Sequence, residues 1–319
     1  MTHQAFVTFL MLNDSFLPGA LMLAHALRKQ RVAADIVCLV TPEITPSARQ
    51  ALKLLFDFVV EVPTLYVPHK RRQERQDRPY WYTRFNALRL GPDGDLEFQY
   101  HKLVLLDADV LPLKNYERLF EVTAPAAIPN ENKNLFFDFS REEQRQQLER
   151  WSWHETYDPI CPHGAPIPKA ITDRVREDPE NMGVNGSLLV IEPSLTEYRA
   201  ILADLERPDV RELVGDRFNW PDMQYITMRW SGRWHTVDIK YSGFNGYPNL
   251  RVLNGTHFAG VKPWYFKRDE KTMKRYSRYE DYRFWFAEYK GMLQRYPRLL
   301  ETKKLASLLK DIEKLQVQA

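Results

Sequence analysis

Ala5-Phe-Val-Thr-Phe-Leu-Met-Leu12 runs as a nearly unbroken apolar stretch close to the start of the chain. A strand of that texture is buried on both faces, as strands are in parallel sheets covered by helices on each side. Asn13-Asp14-Ser15 makes a polar turn after it, and Leu17 to Arg28 has helical spacing, with Pro18 tolerated in the first turn. Asp35-Ile-Val-Cys-Leu-Val40 reads as a second strand, closed by Thr41-Pro42. Thr45-Pro46 opens a second helix with Leu52, Leu55 and Phe56 on one face, and Asp57-Phe-Val-Val-Glu-Val62 is the third strand. This β-α-β-α-β rhythm implies an α/β fold with a mostly parallel central sheet, right-handed crossovers and flanking helices.

Further along, His69 to Arg78 is basic and polar, and reads as a solvated loop or as a place to recruit an anionic ligand. Tyr82 to Leu90 is expected to be a short helix, and His101-Lys-Leu-Val-Leu-Leu106 the fourth strand. Asn130 to Asn181 is long, polar and aromatic, with a helix expected from Arg141 to Arg150. Val184 to Ile191 returns to a strand and Ser194 to Leu205 to a helix. Beyond Lys262-Pro-Trp264 the texture turns basic and aromatic, and two amphipathic helices follow, at Tyr279–Tyr296 and Lys303–Leu315. No low-complexity linker divides these parts. The expected organisation is one large domain over residues 1–266 and a C-terminal helical extension over 267–319 packed on it.

Composition excludes several classes. With 319 residues, 44% hydrophobic and 27% charged, the chain is globular and can bury one large core or two modest ones. A mean hydropathy of -0.50 and the lack of any apolar run near the ~18 residues a bilayer needs argue against a transmembrane segment. Met1-Thr-His-Gln4 has no basic segment and Leu12 runs into Asn13 without a cleavage-like site, so a cytoplasmic location is expected. Two cysteines, Cys38 and Cys161, build no disulfide framework. A net charge of +3 is too small to argue for nucleic acid as a partner. Gly19 is the only glycine before Leu90, so neither a dinucleotide fingerprint nor a P-loop follows the first strand. Any nucleotide phosphate must be handled by something other than a glycine cradle.

Four short motifs carry chemistry. Asp107-Ala108-Asp109 follows the apolar Leu103-Val-Leu-Leu106, so both carboxylates sit at the carboxyl end of a buried strand, the edge where open α/β sheets bind ligands. Two carboxylates held together repel, and a divalent cation removes that cost; the competing reading is a helix cap or turn. A second copy, Asp93-Gly-Asp95, lies in a Gly-Pro-Asp-Gly turn, where solvated aspartates need no function. His257-Phe-Ala-Gly260-Val-Lys262-Pro-Trp264 offers an imidazole, a glycine permitting close approach and a point charge for phosphate. His257 alone would read as a core histidine; with the carboxylate pair it makes a mixed O/N site suited to Mn²⁺. Asn185-Gly186-Ser187 at a strand edge is a polyol-binding amide or an ordinary turn. Trp220-Pro-Asp222-Met-Gln224 places an acid and an amide at a helix start, where the alternative is simple N-capping.

Taken in order, Ala5-Phe-Val-Thr8, Asn13-Asp14 with Phe16, Gly19-Ala-Leu21, Asp107-Ala-Asp109, Asn185-Gly-Ser187 and His257 to Trp264 resemble glycosyltransferase family 8, the glycogenin-like retaining enzymes. The resemblance covers roughly residues 3–130 and 181–266. It implies a Rossmann-like nucleotide-sugar-binding fold of GT-A type and a UDP-sugar donor, with glucose favoured. It also implies Mn²⁺, with Mg²⁺ as the alternative, and transfer with retention to a glycan, protein or small-molecule acceptor; a homodimer stays open. By the same resemblance Asp107, Asp109 and His257 hold the metal, with Ala108 between the two aspartates. Asn13 and Phe16 contact the uridine, Phe16 standing where glycogenins have tyrosine, and Arg84 stands where they carry a lysine near the donor. Asn185, Gly186 and Asp222 face the donor sugar, and Gly260 and Lys262 the diphosphate. Asp222, Asn185 and Lys262 become the catalytic candidates, with Asp222 stabilising or attacking an oxocarbenium-like centre.

Departures from the family pattern sharpen the reading. One residue fewer separates Gly260 from Lys262 than in glycogenin. Where family members often have Asp-Gln, this chain has Asp222-Met223, with Gln224 one position late. No counterpart of the tyrosine-bearing segment lies between Asp238 and Asn254, so self-glucosylation is not expected. The insertion over 130–181 is expected on the acceptor side. A sugar-nucleotide nucleotidyltransferase would open with a glycine-rich loop that Leu10 to Phe16 lacks. A non-catalytic UDP-sugar binder or scaffold is the remaining alternative, separable from an enzyme by UDP release.

Overall fold

The computed structural model describes residues 3–70, 76–129, 162–244, 250–266 and 270–317. The expected helix at Arg141–Arg150 lies outside these residues. Their core is a seven-stranded sheet of order β3-β2-β1-β4-β7-β6-β8. β1 (Gln4–Leu10), β2 (Asp35–Val40), β3 (Phe58–Glu61) and β4 (Lys102–Leu106) are mutually parallel, with Ala5 opposite both Asp35 and Leu103. β7 (Val184–Ile191) reverses direction against β4 and against β6 (Ala126–Pro129), and β8 (His235–Thr236) runs parallel to β6. The crossovers are α1 (Leu17–Gln30) and α2 (Pro46–Leu52), as the apolar rhythm predicts.

Strand residues alternate between two cores. Phe6, Ile36, Cys38, Val104, Leu106 and Val190 face α1 and α2, and the same core takes in α8 (Glu280–Arg295) and α9 (Lys303–Val317), which follow α7 (Glu270–Tyr276). Ala5, Val7, Val37, Leu103, Leu105 and Leu189 face the other way. That second layer holds α3 (Lys169–Glu177), α4 (Leu195–Leu205), α5 (Pro208–Glu212), α6 (Pro221–Arg229) and a run of 3-10 turns at Arg78–Leu90. Burial on both faces is why the strands read as continuous apolar runs. In the C-terminal part Trp285 stacks on Tyr289 at 5.0 Å and lies 5.6 Å from Trp264, packing α8 against the loop that follows the second, short sheet. No helix among the described residues is long and apolar enough to cross a membrane.

Several local expectations change. The segment expected as a helix from Tyr82 begins at Arg78 and stays 3-10, with side chains that tie it to the chain after β3. Thr83 Oγ1 accepts from Leu65 N at 3.1 Å, and Asn86 Nδ2 donates to Pro63 O at 3.0 Å. The second helix stops at Leu52, and Leu55 and Phe56 fold back as turns onto its last carbonyl. His69 and Arg78, expected in a solvated loop, are buried; His69 Nε2 donates to Phe218 O at 2.9 Å. A second sheet was not expected at all. Its strands β5 (Val110–Pro112), β9 (Gly243–Phe244) and β10 (Gly255–His257), in the order β5-β10-β9, are too short to leave a periodicity in the sequence.

Asp93 is not an idle turn residue either. Its carboxylate accepts from Leu195 N at 3.0 Å, Thr196 N at 3.3 Å and Ser194 Oγ at 3.1 Å, capping α4 from a distance. These bonds, led by the one from Leu195, hold it below the usual carboxylate range. Asp93→Ala should therefore cost about 1 kcal/mol of stability, the usual worth of a helix cap, as read by chemical denaturation.

Buried His25 on α1 lies 3.7 Å from Glu288 on α8 and edge-on to Tyr296. Burial lowers its pKa; Glu288 pulls it up, while Lys29 and Arg295 push it down. The folded protein thus refuses a proton that the unfolded chain takes up near its ordinary pKa of ~6.5. Stability should fall as pH drops through that value, and His25→Gln should flatten the wild-type loss between pH 7.5 and 5.5 in thermal melts. Equal pH slopes for both proteins would remove His25 as the source.

Candidate active site

The two motif aspartates lie where the chain leaves one sheet for the other. Asp107 N–H donates to Ser187 O at 2.9 Å, prolonging the β4–β7 ladder past Leu106. Val110 N–H then closes a tight turn onto Asp107 O at 3.0 Å, and the chain enters β5. β10 runs antiparallel to β5 with His257 opposite Val110, and Phe258 N–H donates to Asp109 O at 3.0 Å. This pairing carries an imidazole across 148 residues of sequence to the second aspartate (257 − 109). His257 Nε2 stands 3.4 Å from Asp109 Oδ1, and ligand atoms of Asp107, Asp109 and His257 all fall within 4.8 Å of one another.

Cations surround the pair. Lys262 is buried, and its Nζ donates to Asp109 Oδ2, to Phe258 O at 2.6 Å and to Ala259 O at 3.1 Å. All three of its N–H groups are thus directed at the protein, so a phosphate oxygen would have to replace one of these acceptors. Arg84, also buried, donates through Nη2 to Asp107 Oδ1 at 2.8 Å and through Nη1 to Gly186 O at 2.7 Å, while its Nε faces Asp222 Oδ2 at 3.1 Å. Burial raises the Asp107 carboxyl pKa, Arg84 opposing and Asp109 and Asp222 adding to the rise. For Asp109 burial works the same way, but Lys262 and His257 outweigh it and hold the group well below the usual range. With all three carboxylates ionised and His257 neutral, three negative charges face two permanent cations, an imbalance that adds to burial in pushing Asp107 up to about 7.

A divalent cation fits this donor set. Asp109 Oδ1 is buried and, among the described residues, accepts no hydrogen bond, with His257 Nε2 facing it at 3.4 Å, although its other oxygen is bound to Lys262. Two carboxylate oxygens and an imidazole nitrogen are hard-to-borderline ligands, and the residual negative charge is drawn to M²⁺.

The sugar-side candidates assemble next to Arg84. Asn185 and Gly186 lie on β7, and Asp222 lies in the first turn of α6, only 2% exposed. Asn185 Oδ1 accepts from Ser187 N at 2.9 Å, which leaves its amide N–H groups as donors. Gly186 is clamped on both sides of its peptide, since its N–H lies 3.1 Å from Met223 Sδ and its carbonyl accepts from Arg84. A Cβ there would stand 2.5 Å from Arg84 Nη1 and 2.8 Å from Met223 Cγ, so only glycine fits. Gln224 is not the displaced family amide. Its Oε1 accepts from Trp220 N at 2.8 Å and its Nε2 donates to Pro179 O and Asn181 O, so it ties down the entry to α6. Met223, which no motif singled out, is the α6 residue that meets Gly186 on β7.

On the opposite side, Asn13 caps the 3-10 turn Asp14–Phe16 through Ser15 N at 2.8 Å. Phe16 packs edge-on against Trp264 at 5.8 Å and Tyr265 at 6.1 Å, and Lys262 Nζ lies 5.8 Å over its ring. A Cβ on Gly19 would lie 2.2 Å from Ala108 O and 2.4 Å from the Trp264 ring. The lone early glycine therefore lets α1 approach the aspartate turn and Trp264, a packing role with no phosphate cradle. Gly260 is exposed in the loop before Lys262. Asp107, Asp109, His257, Lys262, Arg84, Gly186 and Asp222 thus form one connected cluster, with the Phe16 ring beside Lys262.

Removing Lys262 should leave Asp109 as a buried, uncompensated charge, a loss usually worth about 3–5 kcal/mol. Lys262→Met should accordingly melt well below wild type without metal, and MnCl₂ should raise its melting temperature more than it raises the wild-type value. A smaller metal-induced shift in the variant would separate Lys262 from the Asp109 charge balance.

No family model matches the chain. An uncharacterized protein of Acanthamoeba polyphaga mimivirus is 24% identical over 288 residues, 86% of this chain and 87% of that one. Glycogenin-1 of Oryctolagus cuniculus is 35% identical over 133 residues, 41% of this chain and 38% of its own length. Galactinol synthase 6 of Arabidopsis thaliana is 24% identical over 280 residues, 85% of this chain and 76% of that one. The match thus spans well under half the length of the glycogenins. Among solved structures, the galactosyltransferase LgtC in complex with donor and acceptor sugar analogues aligns at a TM-score of 0.53 over 88% of this chain and 99% of that one, at 13% identity. An apo structure of the bifunctional glycosyltransferase WbbM aligns at 0.52 over 89% of this chain and 49% of that one, also at 13% identity. The chain has the GT-A fold, and its homologues are the glycogenins and galactinol synthases of glycosyltransferase family 8.

Proposed function

We propose that this protein is a metal-dependent retaining glycosyltransferase that moves a hexose, glucose by preference, from a UDP-sugar to a hydroxyl acceptor. The observation that carries the reading is the Asp107–Asp109–His257 triad, closed by two sheets at the ligand-binding edge of a GT-A fold, beside a buried Asp222 and Asn185. A divalent cation in the triad, Mn²⁺ by the mixed O/N donor set, would supply Lewis-acid stabilisation of the departing diphosphate.

The chain's own residues divide the remaining work. Asn13 and Phe16 border the space for the base. Lys262 sits behind Asp109 and can add its charge to a diphosphate oxygen as that oxygen takes the place of a loop carbonyl. Arg84 holds Asp107 and Asp222 to one guanidinium, so the metal-side and sugar-side carboxylates keep a constant spacing. Asn185 donates to a sugar hydroxyl. Asp222, nearly excluded from water and oriented by Arg84, stabilises positive charge at the anomeric carbon or attacks it, which accounts for retention.

The test is UDP release from a panel of UDP-sugars with Mn²⁺ or Mg²⁺. Asp107→Ala and Asp109→Ala should abolish metal-dependent turnover while the protein stays folded. Asp93→Ala should keep turnover in spite of its stability loss, because its bonds go to α4. Loss of activity at both Asp-x-Asp copies alike would sink the assignment. Asp222→Asn should cost at least 10²-fold in kcat with UDP affinity nearly unchanged, since it preserves shape and removes charge only at the sugar end.

A further inference from the structure

A cavity of about 530 Å³ opens where α9 lies against the start of α1 and the loop after β10. That volume is within the ~300–1,000 Å³ usual for small-molecule pockets. Its walls are mainly apolar, made by Trp264, Tyr265, Phe266, Pro18 and Leu308. Its polar lining is Ser15, Lys303, Lys304, Ser307 and Asp311, two ammonium groups against one carboxylate.

Three further features bear on what it holds. Trp264 is only 8% exposed and its Nε1–H is buried, so it meets the cavity as an apolar ring. Lys303 and Lys304 open the 15-residue helix α9, whose N-terminal N–H groups and dipole favour negative charge. Desolvation lowers the Lys304 pKa; Asp14 opposes this, but its carboxylate is already engaged with Thr45 N at 3.1 Å and Thr45 Oγ1 at 2.7 Å.

We propose that this cavity binds a small amphipathic anion, with a flat apolar body against Trp264, Tyr265 and Phe266 and one phosphate or carboxylate group at Lys303 and Lys304. The metal triad lies on the other side of Phe16, whose ring edge packs on Trp264 and Tyr265 while Lys262 Nζ sits over it. Phe16 thus stands between the cavity wall and Lys262, so the cavity borders the triad without sharing a ligand with it.

Phenyl phosphate is the probe, titrated against the full-length protein and followed by tryptophan fluorescence. Binding should weaken at least ten-fold in the Lys303→Ala/Lys304→Ala double variant and in Ser307→Trp, which fills the cavity from its rim. Neutral benzyl alcohol and inorganic phosphate should each bind at least ten-fold more weakly than phenyl phosphate, because each supplies only half of the recognition. Wild-type affinity in both variants, or competitive displacement of phenyl phosphate by UDP with Mn²⁺, would overturn the proposal. The second outcome would place the probe in the donor site.

Discussion

The arrangement rests on two backbone hydrogen bonds, Asp107 N–H to Ser187 O and Phe258 N–H to Asp109 O, at 2.9 and 3.0 Å. The first belongs to the large sheet and the second to the small one, and one alanine separates the residues that make them. Because each aspartate is held by a different ladder, their carboxylates cannot relax apart to escape mutual repulsion. That repulsion is met by the buried Arg84 and Lys262 and by His257 beside Asp109. Moving either ladder by one residue would turn its aspartate to the opposite face.

Charge is distributed around this junction unequally. Arg84 reaches Asp107, Gly186 O and Asp222 from a single guanidinium, and its planar fork suits that task better than a lysine would. Lys262 serves Asp109 and the loop that carries it. The reading of Lys262 as a free point charge for phosphate therefore needs amendment. In the folded chain the ammonium already has three acceptors, and a diphosphate must compete with carbonyls for it. Glycine is used just as sparingly. Gly19 and Gly186 stand where a Cβ would collide with Ala108 O or with Arg84, so the closeness of the layers around the site depends on two missing side chains.

Much of this was legible in the chain itself. Continuous apolar runs marked β1, β2, β4 and β7 because both faces of the sheet are covered, and the helices α1, α4, α8 and α9 followed from their spacing. The strand before Asp107 distinguished the Asp-x-Asp copy that meets His257 from Asp93-Gly-Asp95. Other features could not be read. Asp93 looked idle because its partners, Ser194, Leu195 and Thr196, lie a hundred residues away. His69 looked solvated because its partner, the Phe218 carbonyl, comes from elsewhere in the chain. Gln224 looked like a shifted family amide, yet its bonds run to Trp220, Pro179 and Asn181.

By itself the sequence determined the parallel β-α-β half, the identity of the acids, amides and imidazole, and their order along the chain. These depend on local pattern, since burial on two faces and helical periodicity are written over consecutive residues. Only the tertiary structure decided that Val110–Pro112 pairs with Gly255–His257, and hence that His257 meets Asp109. It also decided that Met223, and not Gln224, reaches Gly186, and that the C-terminal helix α9 encloses a cavity with Trp264 and Ser15. A two- or three-residue strand has no period to detect, and a contact across a hundred residues leaves no mark on either neighbourhood. Both exist only once the large sheet has closed and brought the two segments to one edge.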